Sequence, residues 1–429
     1  MGIVYCEADR TFTIQTQNTT YQMQIDAYGF LLHLYYGRKT DGVMDYLLTY
    51  ADRGFSGNPQ DAGNDRTYSL DVLPQEFPCR LTGDFRSPVL DLVNADGSFG
   101  CDLRYQGYEI CNGKYNLKGL PAVYATEEEA QTLIIYMKDP VTGLQVELLY
   151  GVLPEYDVIT RSAKLINDGE NAVQIRRLMS CQVDFPTSDH VFTSFHGAWA
   201  REMRRWDVPV AAGKYVNASY TGTSSSRANP FVMLSGRETS EDTGDCYGFN
   251  LVYSGNHYEA VEVNSYGKTR FVSGINPQNF CWQLPAGESF ETPEAVMAYS
   301  RAGYNGMSQC MHRFVREHIV RGAWKKKVRP VLLNSWEAAY FDINEKKLLQ
   351  LAKAGKEAGI ELFVMDDGWF GHRDNDRSSL GDWKVNTKKL PNGLAGLCKK
   401  INDLGMDFGI WVEPEMVNVD SELYKAHPD

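Results

Sequence analysis

The sequence predicts a multidomain β plus α/β protein, in which an all-β region is followed by alternating strands and helices. From residue 1 to about residue 300, short runs of Val, Ile, Tyr, Phe and Thr are separated by Gly, Asn, Asp and Pro, a pattern typical of strands and turns. After Tyr304 the apolar residues take a helical spacing, and from Arg329 onward runs of strand length alternate with helical ones. This change of pattern indicates two different architectures in one chain.

The long β region predicts a large two-sheet sandwich, because so many strands follow one another without an interruption that reads as a linker. Its clearest hairpin is LIIYMKDPVTGLQVELLYGVL, in which the turn residues 139–143 separate two apolar strands. We therefore predict a single β domain over residues 1–303. Further strand-like runs are TFTIQT, YQMQIDAYG, LRYQGYEICNG, AVQIRRLMSCQVDF and EAVEVNSYG.

Three polar segments interrupt the β pattern. Residues 53–66 are too rich in Gly, Asn and Asp for a strand and predict an exposed loop. GDFRSP (residues 83–88) and GAWARE (residues 197–202) join aromatic residues to charges. Loops often carry function, but for each of these two strings alone a structural role is the stronger expectation.

Residues 304–328 predict a helix that connects the two architectures. Ser308 is a suitable N-cap residue, and the chain ends its helical pattern near residues 321–322. We expect one apolar stripe that packs the helix against the protein, formed by Met311, Phe314, Val315 and Ile319.

Residues 329–429 predict three strand–helix units. Strands are expected at residues 331–333, 362–365 and 408–412; Asn344 is expected to cap a helix that ends near Gly359, and a second helix contains Leu397 and Ile401. Three units in about 100 residues match the roughly 30 residues per unit of a (β/α)8 TIM barrel. The sequence thus predicts the first three units of an incomplete barrel.

The strand at residues 362–365 ends on a polar group that suggests a binding site. Its unbroken apolarity predicts a parallel strand covered on both faces, after which Asp366 and Asp367 follow at once and Gly368 permits a turn. Two carboxylates beside the Trp369 indole suit a sugar, whose hydroxyls bind the acids while the ring covers its C–H face. A helix cap with a solvated turn is the alternative. All three strands end on Trp or acidic residues, which favours a site, because barrel active sites lie at that rim.

Composition restricts partners and compartment. The net charge of -12 and a pI near 5.3 argue against nucleic acid or an anionic membrane as the main partner. We expect no secretory signal and no spanning helix, since no apolar stretch reaches about 20 residues. Nine cysteines without a C-x-x-C pair favour a reduced, cytoplasmic protein. The sequons at Asn18 and Asn217 carry little weight in that setting.

Several strings closely resemble bacterial α-galactosidases of glycoside hydrolase family 36. They span almost the whole chain in matching order and are RPVLLNSWEAAYFD, FVMDDGWFG, RSSLGDW, LPNGL, GIWVEPEMV, LYKAHPD, GDFRSP and GAWARE. The resemblance implies an N-terminal β-supersandwich, a (β/α)8 barrel and a C-terminal β domain. It also implies retaining hydrolysis of terminal α-galactosides such as melibiose, raffinose and stachyose, a homotetramer, and no metal or organic cofactor.

The resemblance also assigns residues. Asp366 and Asp367 would bind the galactose 4- and 6-hydroxyls, and Trp336 and Trp411 would wall the pocket. Sandwich loops around residues 55–66, with Phe55 and Arg66 at their ends, would reach the active site of a neighbouring subunit.

The catalytic carboxyls of the family have no match in this sequence. Its nucleophile lies in a Lys-Trp-Asp-type motif on the fourth barrel strand and its acid/base Asp two strands later, whereas this chain contains no such string and ends at Asp429. Retaining hydrolysis needs two carboxyls roughly 5 Å apart. We therefore expect a truncated chain that holds galactose without cleaving it efficiently.

Other interpretations remain open at this point. Glu413 and Glu415 lie at the barrel mouth and could act in place of the missing acids. His372 with the two aspartates could suggest a metal site, although the ligand spacing is not specific. The residue pair 382–383 is expected to anchor a loop. The chain could also be a non-catalytic galactoside-binding or assembly module, or a relative that acts on α-N-acetylgalactosamine.

Overall fold

The computed structural model describes residues 2–52, 54 and 57–429. The chain forms two compact units, Met1–Arg321 and Gly322–Asp429. The domain limits predicted at 303/304 and 328/329 stay predictions. The two compact units meet at 321/322, and the helix expected to connect the domains lies within the first unit. Within the described part of the chain, no helix is both long and apolar enough to cross a membrane.

The first unit is built from antiparallel strands, as the short apolar runs predict. Its strands are β1 (Gly2–Cys6), β2 (Thr11–Gln15), β3 (Thr19–Ile25), β4 (Leu31–Arg38), β5 (Leu90–Val93), β6 (Arg104–Asn112), β7 (Gln131–Lys138), β8 (Leu144–Leu153), β9 (Val158–Asn167), β10 (Val173–Phe185), β11 (His190–Ala198), β12 (Arg201–Pro209), β13 (Gly213–Ala218), β14 (Phe231–Gly236), β15 (Cys246–Val252), β16 (His257–Val263), β17 (Thr269–Ile275), β18 (Trp282–Leu284), β19 (Ser289–Glu291) and β20 (Glu294–Ser300).

These strands form three sheets. The largest has the order β12-β11-β14-β15-β20-β9-β8-β7-β6 with β19 beside β9, the second has the order β13-β16-β17-β10-β18 with β5 beside β10, and β1 to β4 form a meander. The two larger sheets face each other, since Phe249 of β15 stacks on Phe271 of β17 with ring centroids 3.9 Å apart. The meander joins the same core, where Tyr21 lies 6.1 Å from Tyr150 of β8. The β-sandwich prediction is confirmed.

Two local predictions in this unit, the hairpin at residues 139–143 and the structural role of GDFRSP, are confirmed as well. Strands β7 and β8 pair antiparallel across the turn at residues 139–143, where the Asp139 carboxylate accepts a hydrogen bond from Val141 N. In GDFRSP, Asp84 and Arg86 are buried and paired, which is a structural role. GAWARE forms the turn between β11 and β12, with Trp199 exposed.

The helix after the sandwich, α1 (Gly303–His318), begins earlier than the sequence predicts. Ser308 lies inside the helix and Ala302 at its N-cap, so the predicted cap is wrong. Tertiary packing sets the start: a Cβ on Gly303 would lie 2.2 Å from the Ser240 carbonyl oxygen. Val315 is 37% exposed and was wrongly placed in the apolar stripe. The buried face, which packs with β14, β15 and β20, consists of Met307, Met311, Phe314 and His318.

The second unit contains three parallel strands, β21 (Leu332–Asn334), β22 (Leu362–Met365) and β23 (Asp407–Ile410), paired in that order. The helices of this unit are α2 (Trp336–Ala339), α3 (Glu345–Glu357), α4 (Gly393–Asp403) and α5 (Glu422–Ala426). The Asn344 side chain caps α3, because it accepts a hydrogen bond from Lys347 N at 3.0 Å, as predicted. Strand order and helix positions match the start of a (β/α)8 barrel.

One expectation for β22 is wrong. Phe363 and Met365 are fully buried in the core shared with α3 and α4, whereas Leu362 and Val364, on the other face, are only half-buried. On the neighbouring strand, Leu332 aligns with Leu362 and is 50% exposed. Only one face of the three-stranded arc is covered, because three strands do not close around an interior.

Candidate functional site

The carboxyl ends of the three parallel strands meet at one edge of the second unit, and polar side chains there join neighbouring strands. Asn334, the last residue of β21, donates a hydrogen bond from Nδ2 to Asp366 Oδ2 at 2.5 Å. The Ser335 hydroxyl accepts a hydrogen bond from Asp366 N at 3.0 Å. Asp366 is half-buried, so its carboxylate is oriented by the first strand and still reaches solvent.

Asp367 lies in a different environment from its neighbour. It is only 5% exposed, and its carboxylate forms a bidentate ion pair with Arg373, in which Nη2 lies 2.8 Å from Oδ2 and Nε 3.0 Å from Oδ1. Arg373 is itself buried. The pair neutralises a charge that would otherwise be costly to bury. The two adjacent acids are therefore held by different parts of the unit.

The turn after these acids is sterically specified. Gly368 has φ +95°, and a Cβ there would lie 3.3 Å from Phe341 Cα, so the prediction that glycine permits the turn is confirmed. The Lys389 ammonium donates hydrogen bonds to the carbonyl oxygens of Phe341, Gly368 and Arg373 at 2.9–3.1 Å. One side chain thus joins three main-chain segments and stabilises the turn that carries the acids.

The indole next to the acids does not line the site. Trp369 is 3% exposed and packs between Phe370 and Trp383, so its predicted role of covering a sugar is wrong. Its Nε1 donates a hydrogen bond to the Trp411 carbonyl oxygen at 2.9 Å. The buried ring thus fixes the backbone at the end of β23, where Trp411 itself is half-buried.

The other two tryptophan predictions concern positions at the rim. Trp336 begins α2 directly after β21, and its ring contacts Tyr340 and Phe341 edge-on, at 5.0 and 5.1 Å between centroids. The Trp336 backbone N donates to Asn334 Oδ1 at 2.7 Å, so the same asparagine orients Asp366 and the indole. Trp336 and Trp411 thus follow the two strands on either side of the aspartates.

One carboxyl beyond β23 has a perturbed pKa. Burial, together with the negative charge of Glu415, raises the pKa of Glu413 above its usual value, while Arg373 acts in the opposite direction. Glu413 is half-buried and Glu415 exposed. A raised pKa lets Glu413 keep its proton to a higher pH, which is a property of general acids as well as of partly buried rim residues.

Two family models match the chain, one after the other. The model for the glycosyl hydrolase family 36 N-terminal domain matches residues 29–285, and the melibiase model matches residues 289–429. The chain belongs to glycosyl hydrolase family 36. The first match covers β4 to β18 of the sandwich, and the second covers all three parallel strands and their polar rim.

Curated relatives of this family 36 chain are α-galactosidases. It is 49% identical to the bifunctional alpha-galactosidase/sucrose kinase AgaSK of Mediterraneibacter gnavus, across 100% of this chain and 46% of the relative. It is 46% identical to alpha-galactosidase AgaA of Geobacillus stearothermophilus, across 100% of this chain and 59% of the relative. The chain therefore spans about half the length of the curated relatives it matches.

Solved structures show the same fold. The galactosidase domain of AgaSK superposes with a TM-score of 0.96 at 48% identity and covers 100% of this chain and 60% of that structure. A variant of AgaA in complex with raffinose superposes with a TM-score of 0.93 at 46% identity, covering 98% and 58%. The predicted multidomain fold, a β-sandwich followed by part of a (β/α)8 barrel, is thus shown for this family 36 chain.

The remaining predicted residues of the family 36 chain lie elsewhere. Phe55 lies outside the described residues. Arg66, in the first unit, is exposed and pairs with Asp52 at 3.1 Å. The loop-anchor prediction for residues 382–383 is confirmed, because the Asp382 carboxylate accepts hydrogen bonds from Glu422 N and Leu423 N at the start of α5.

The metal alternative has no geometric support in the part of the family 36 chain that the structure describes. There, no three His, Cys, Asp or Glu side chains are grouped to hold a metal ion. His372 is exposed, and the Asp367 carboxylate is already paired with a guanidinium.

Sequence reasoning missed four residues that build this rim. Asn334 and Ser335 were readable in principle, because they directly follow a predicted strand at the same edge as the aspartates. Arg373 and Asn418 carry no local signal: they lie 6 and 51 positions after Asp367 and meet at 3.4 Å only through folding.

Proposed function

We propose that this chain is the N-terminal portion of an α-galactosidase, which hydrolyses terminal α-D-galactosyl residues of melibiose- and raffinose-type oligosaccharides with retention. Asp366 and Asp367 would accept hydrogen bonds from the galactose 4- and 6-hydroxyls, and Trp336 and Trp411 would wall the pocket. The observation that carries the proposal is the pair of adjacent, differently held aspartates at the strand rim of a chain 46–49% identical to α-galactosidases.

The chemistry of the rim supports galactose as the sugar. Ionised carboxylates are acceptors only, so they suit hydroxyl donors, and indoles suit the C–H face of a pyranose. Galactose has an axial 4-hydroxyl where glucose has an equatorial one. A carboxylate fixed to meet the axial group loses its partner with glucose, and a buried acceptor left unpaired is the strongest source of discrimination.

The attacking and protonating carboxyls would be supplied by residues that follow Asp429 in the whole protein. Retaining hydrolysis needs that pair about 5 Å apart across the scissile bond. On this proposal the 429-residue chain binds galactose and does not turn it over. A purely galactoside-binding or assembly role is the alternative outcome of the test below.

We infer further features of the whole protein from the family. Its domains are a β-supersandwich over residues 1–303, a connecting segment over 304–328 and barrel units from 329. The assembly is a tetramer in which Phe55 and Arg66 approach a neighbouring subunit's site, and the enzyme works in the cytoplasm. The nine cysteines, all described and all unpaired, support a reducing compartment.

The test is to measure the intact mass of the protein from its native source, together with release of p-nitrophenol from its α-galactoside. We expect a mass well above 48.4 kDa, with activity. A native product of 48.4 kDa without hydrolysis would favour the binding module, whereas hydrolysis by that product would overturn the placement of the catalytic acids. Preference for p-nitrophenyl α-N-acetylgalactosaminide would redirect the substrate assignment.

A further inference from the structure

We propose that Arg373 is a positioning residue, which fixes the Asp367 carboxylate in the one orientation that accepts a galactose hydroxyl; this rests on the proposed function. Arg373 itself is buried and donates its hydrogen bonds to protein groups, so it acts on the sugar through Asp367.

The contact between the two side chains is a fork. Arg373 Nε lies 3.0 and 3.1 Å from the two Asp367 oxygens, and Nη2 lies 2.8 Å from Oδ2. A planar guanidinium that binds both oxygens sets the rotation of the carboxylate as well as its charge. A lysine ammonium would keep the charge and lose the control of rotation.

The guanidinium is itself held from the opposite side. Its Nη1 donates to the Ser378 carbonyl oxygen at 2.9 Å and to Asn418 Oδ1 at 3.4 Å. Asn418 Oδ1 also accepts a hydrogen bond from Leu380 N at 2.8 Å. Arg373 therefore joins the turn after β22 to the loop around Ser378 and the segment after β23, and it cannot turn without breaking all of them.

The hydrogen bonds from Arg373 limit how many further donors the Asp367 carboxylate can accept. A carboxylate offers about four lone-pair positions. Asp367 receives three N–H groups, from Gly368 N, Arg373 Nε and Arg373 Nη2, which leaves about one position open. Asp366 receives two, from Asn334 Nδ2 and Asp367 N. Asp367 can thus accept a single hydroxyl from a single direction, and Arg373 determines that direction.

The variants that test this are R373Q and R373K, with R377Q as the matched control, because Arg377 lies in the same loop with its side chain 92% exposed. Galactose affinity of the complete native gene product is measured by isothermal titration calorimetry. We expect R373Q to weaken binding about 10-fold or more, as for loss of a hydrogen bond to a charged group. R373K should give an intermediate loss, and R377Q should bind as the wild type does.

Deoxy sugars separate positioning from general damage. For the wild type, 4-deoxygalactose or 6-deoxygalactose, whichever lacks the hydroxyl bound by Asp367, should bind about 10-fold more weakly than galactose. In R373Q that ratio should fall toward 1, because the hydroxyl has already lost its acceptor. An unchanged ratio with uniformly weaker binding would mean that Arg373 is only structural and would overturn the proposal.

A double variant keeps the test decisive if R373Q fails to fold. D367N/R373Q removes both charges and leaves no unpaired ion, so it is compared with D367N alone. If Arg373 acts through Asp367, the second substitution should change galactose affinity by less than about 2-fold, since coupled residues are non-additive. Independent effects would overturn the inference. A wild type that does not bind galactose would instead overturn the proposed function.

Discussion

Each unit of the molecule contains a buried arginine–aspartate cluster, and the two clusters differ in how many of their hydrogen-bond acceptor positions are occupied. In the sandwich, Arg86 and Arg270 are paired with Asp84 and Asp184 at 2.7–3.3 Å, two charges of each sign and all buried. Burial alone would raise the pKa of Asp184, but the two guanidiniums hold it well below its usual range. Every member of this cluster is bonded to another member, and the remaining contacts go to the backbone or to the Gln75 side chain.

The cluster in the second unit has one charge of each sign, Asp367 and Arg373, and lies beside the half-exposed Asp366. Here an acceptor remains open next to the ion pair. The comparison shows that a buried ion pair does not by itself identify a binding site. What distinguishes the second cluster is its half-buried neighbour Asp366 at a strand rim, whose carboxylate receives two hydrogen bonds and keeps acceptor positions open.

The strands of the two units also differ in how completely their two faces are buried. In β10, residues 178–185 are all buried, because sheets and loops cover both faces. In β22, buried and half-buried residues alternate along the strand, since helices cover one face only. The sandwich is closed around its polar groups, whereas the three-stranded arc leaves one face and its rim accessible.

The largest expected effect comes from removing one arginine of the closed cluster. R270M leaves Asp84 and Asp184 buried with one cation between them, and should lower the free energy of unfolding by about 3–5 kcal/mol. Urea unfolding followed by circular dichroism measures it. R80M is the control, because Arg80 pairs with Asp91 while 46% exposed and should cost less than about 1 kcal/mol. Equal losses of unfolding free energy in R270M and R80M would contradict the conclusion that the charges of the sandwich cluster are buried and depend on one another.

A second prediction compares the two faces of the arc. In the 429-residue chain, F363A removes a fully buried ring and should cost about 3–5 kcal/mol, whereas L332A, at a side chain 50% exposed, should cost less than about 1 kcal/mol. Thermal unfolding of the wild type and both variants measures the two losses of stability, which are then compared. If L332A cost as much as F363A in this chain, the face of the arc that carries Leu332 would be covered, and the contrast between the units would disappear.

The smallest effect concerns pH, through a second buried pair in the sandwich. His257 Nδ1 faces Glu259 Oε2 at 2.8 Å and Nε2 faces the Ala228 carbonyl oxygen at 2.7 Å, so both nitrogens face acceptors. Burial lowers the pKa of His257, but these acceptors, led by Glu259, outweigh it and raise the pKa above its usual value. Burial also raises the pKa of Glu259. Folding therefore takes up protons at this pair.

The sign follows directly from that uptake. Stabilisation by His257 is complete below its unfolded pKa, near 6.5, and is lost as pH rises through the folded pKa. We expect the free energy of unfolding to fall with pH above about 6.5, at most by about 1.4 kcal/mol per pH unit for one proton. H257Q should flatten that slope, and H312N, at an exposed histidine of α1, should not. A wild-type stability that rises over this range would contradict the assignment.

The sequence predicts well those features that depend on neighbours in the chain. The hairpin around residues 139–143, the Asn344 cap and the turn at Gly368 each rest on local conformational preference, and each is present. The order of parallel strands follows equally from strand–helix alternation. At the candidate site, the positions of Asp366 and Asp367 after β22 were predictable for the same reason.

Features that depend on distant residues were not predictable. Trp369 follows the acids and suggests an open platform, but Trp411, 42 residues later, accepts its N–H, and it lies in the interior. The start of α1 is set by the close approach of the Ser240 carbonyl oxygen to Gly303. Arg373 finds Asp367 only through a loop whose path no periodicity encodes. Such contacts are decided by packing, which a single sequence does not display.

The chain separation of paired residues also orders the events of synthesis on the ribosome. Val123 N donates its hydrogen bond to the Glu294 carboxylate, 171 residues later, so the sandwich cannot close until that residue has emerged. At about 5–20 residues per second this delay is roughly 9–34 seconds. Leu332 meets Leu362 after 30 residues, within about 2–6 seconds. The first barrel strands can therefore pair soon after they leave the ribosome, whereas the sandwich waits for nearly its whole length.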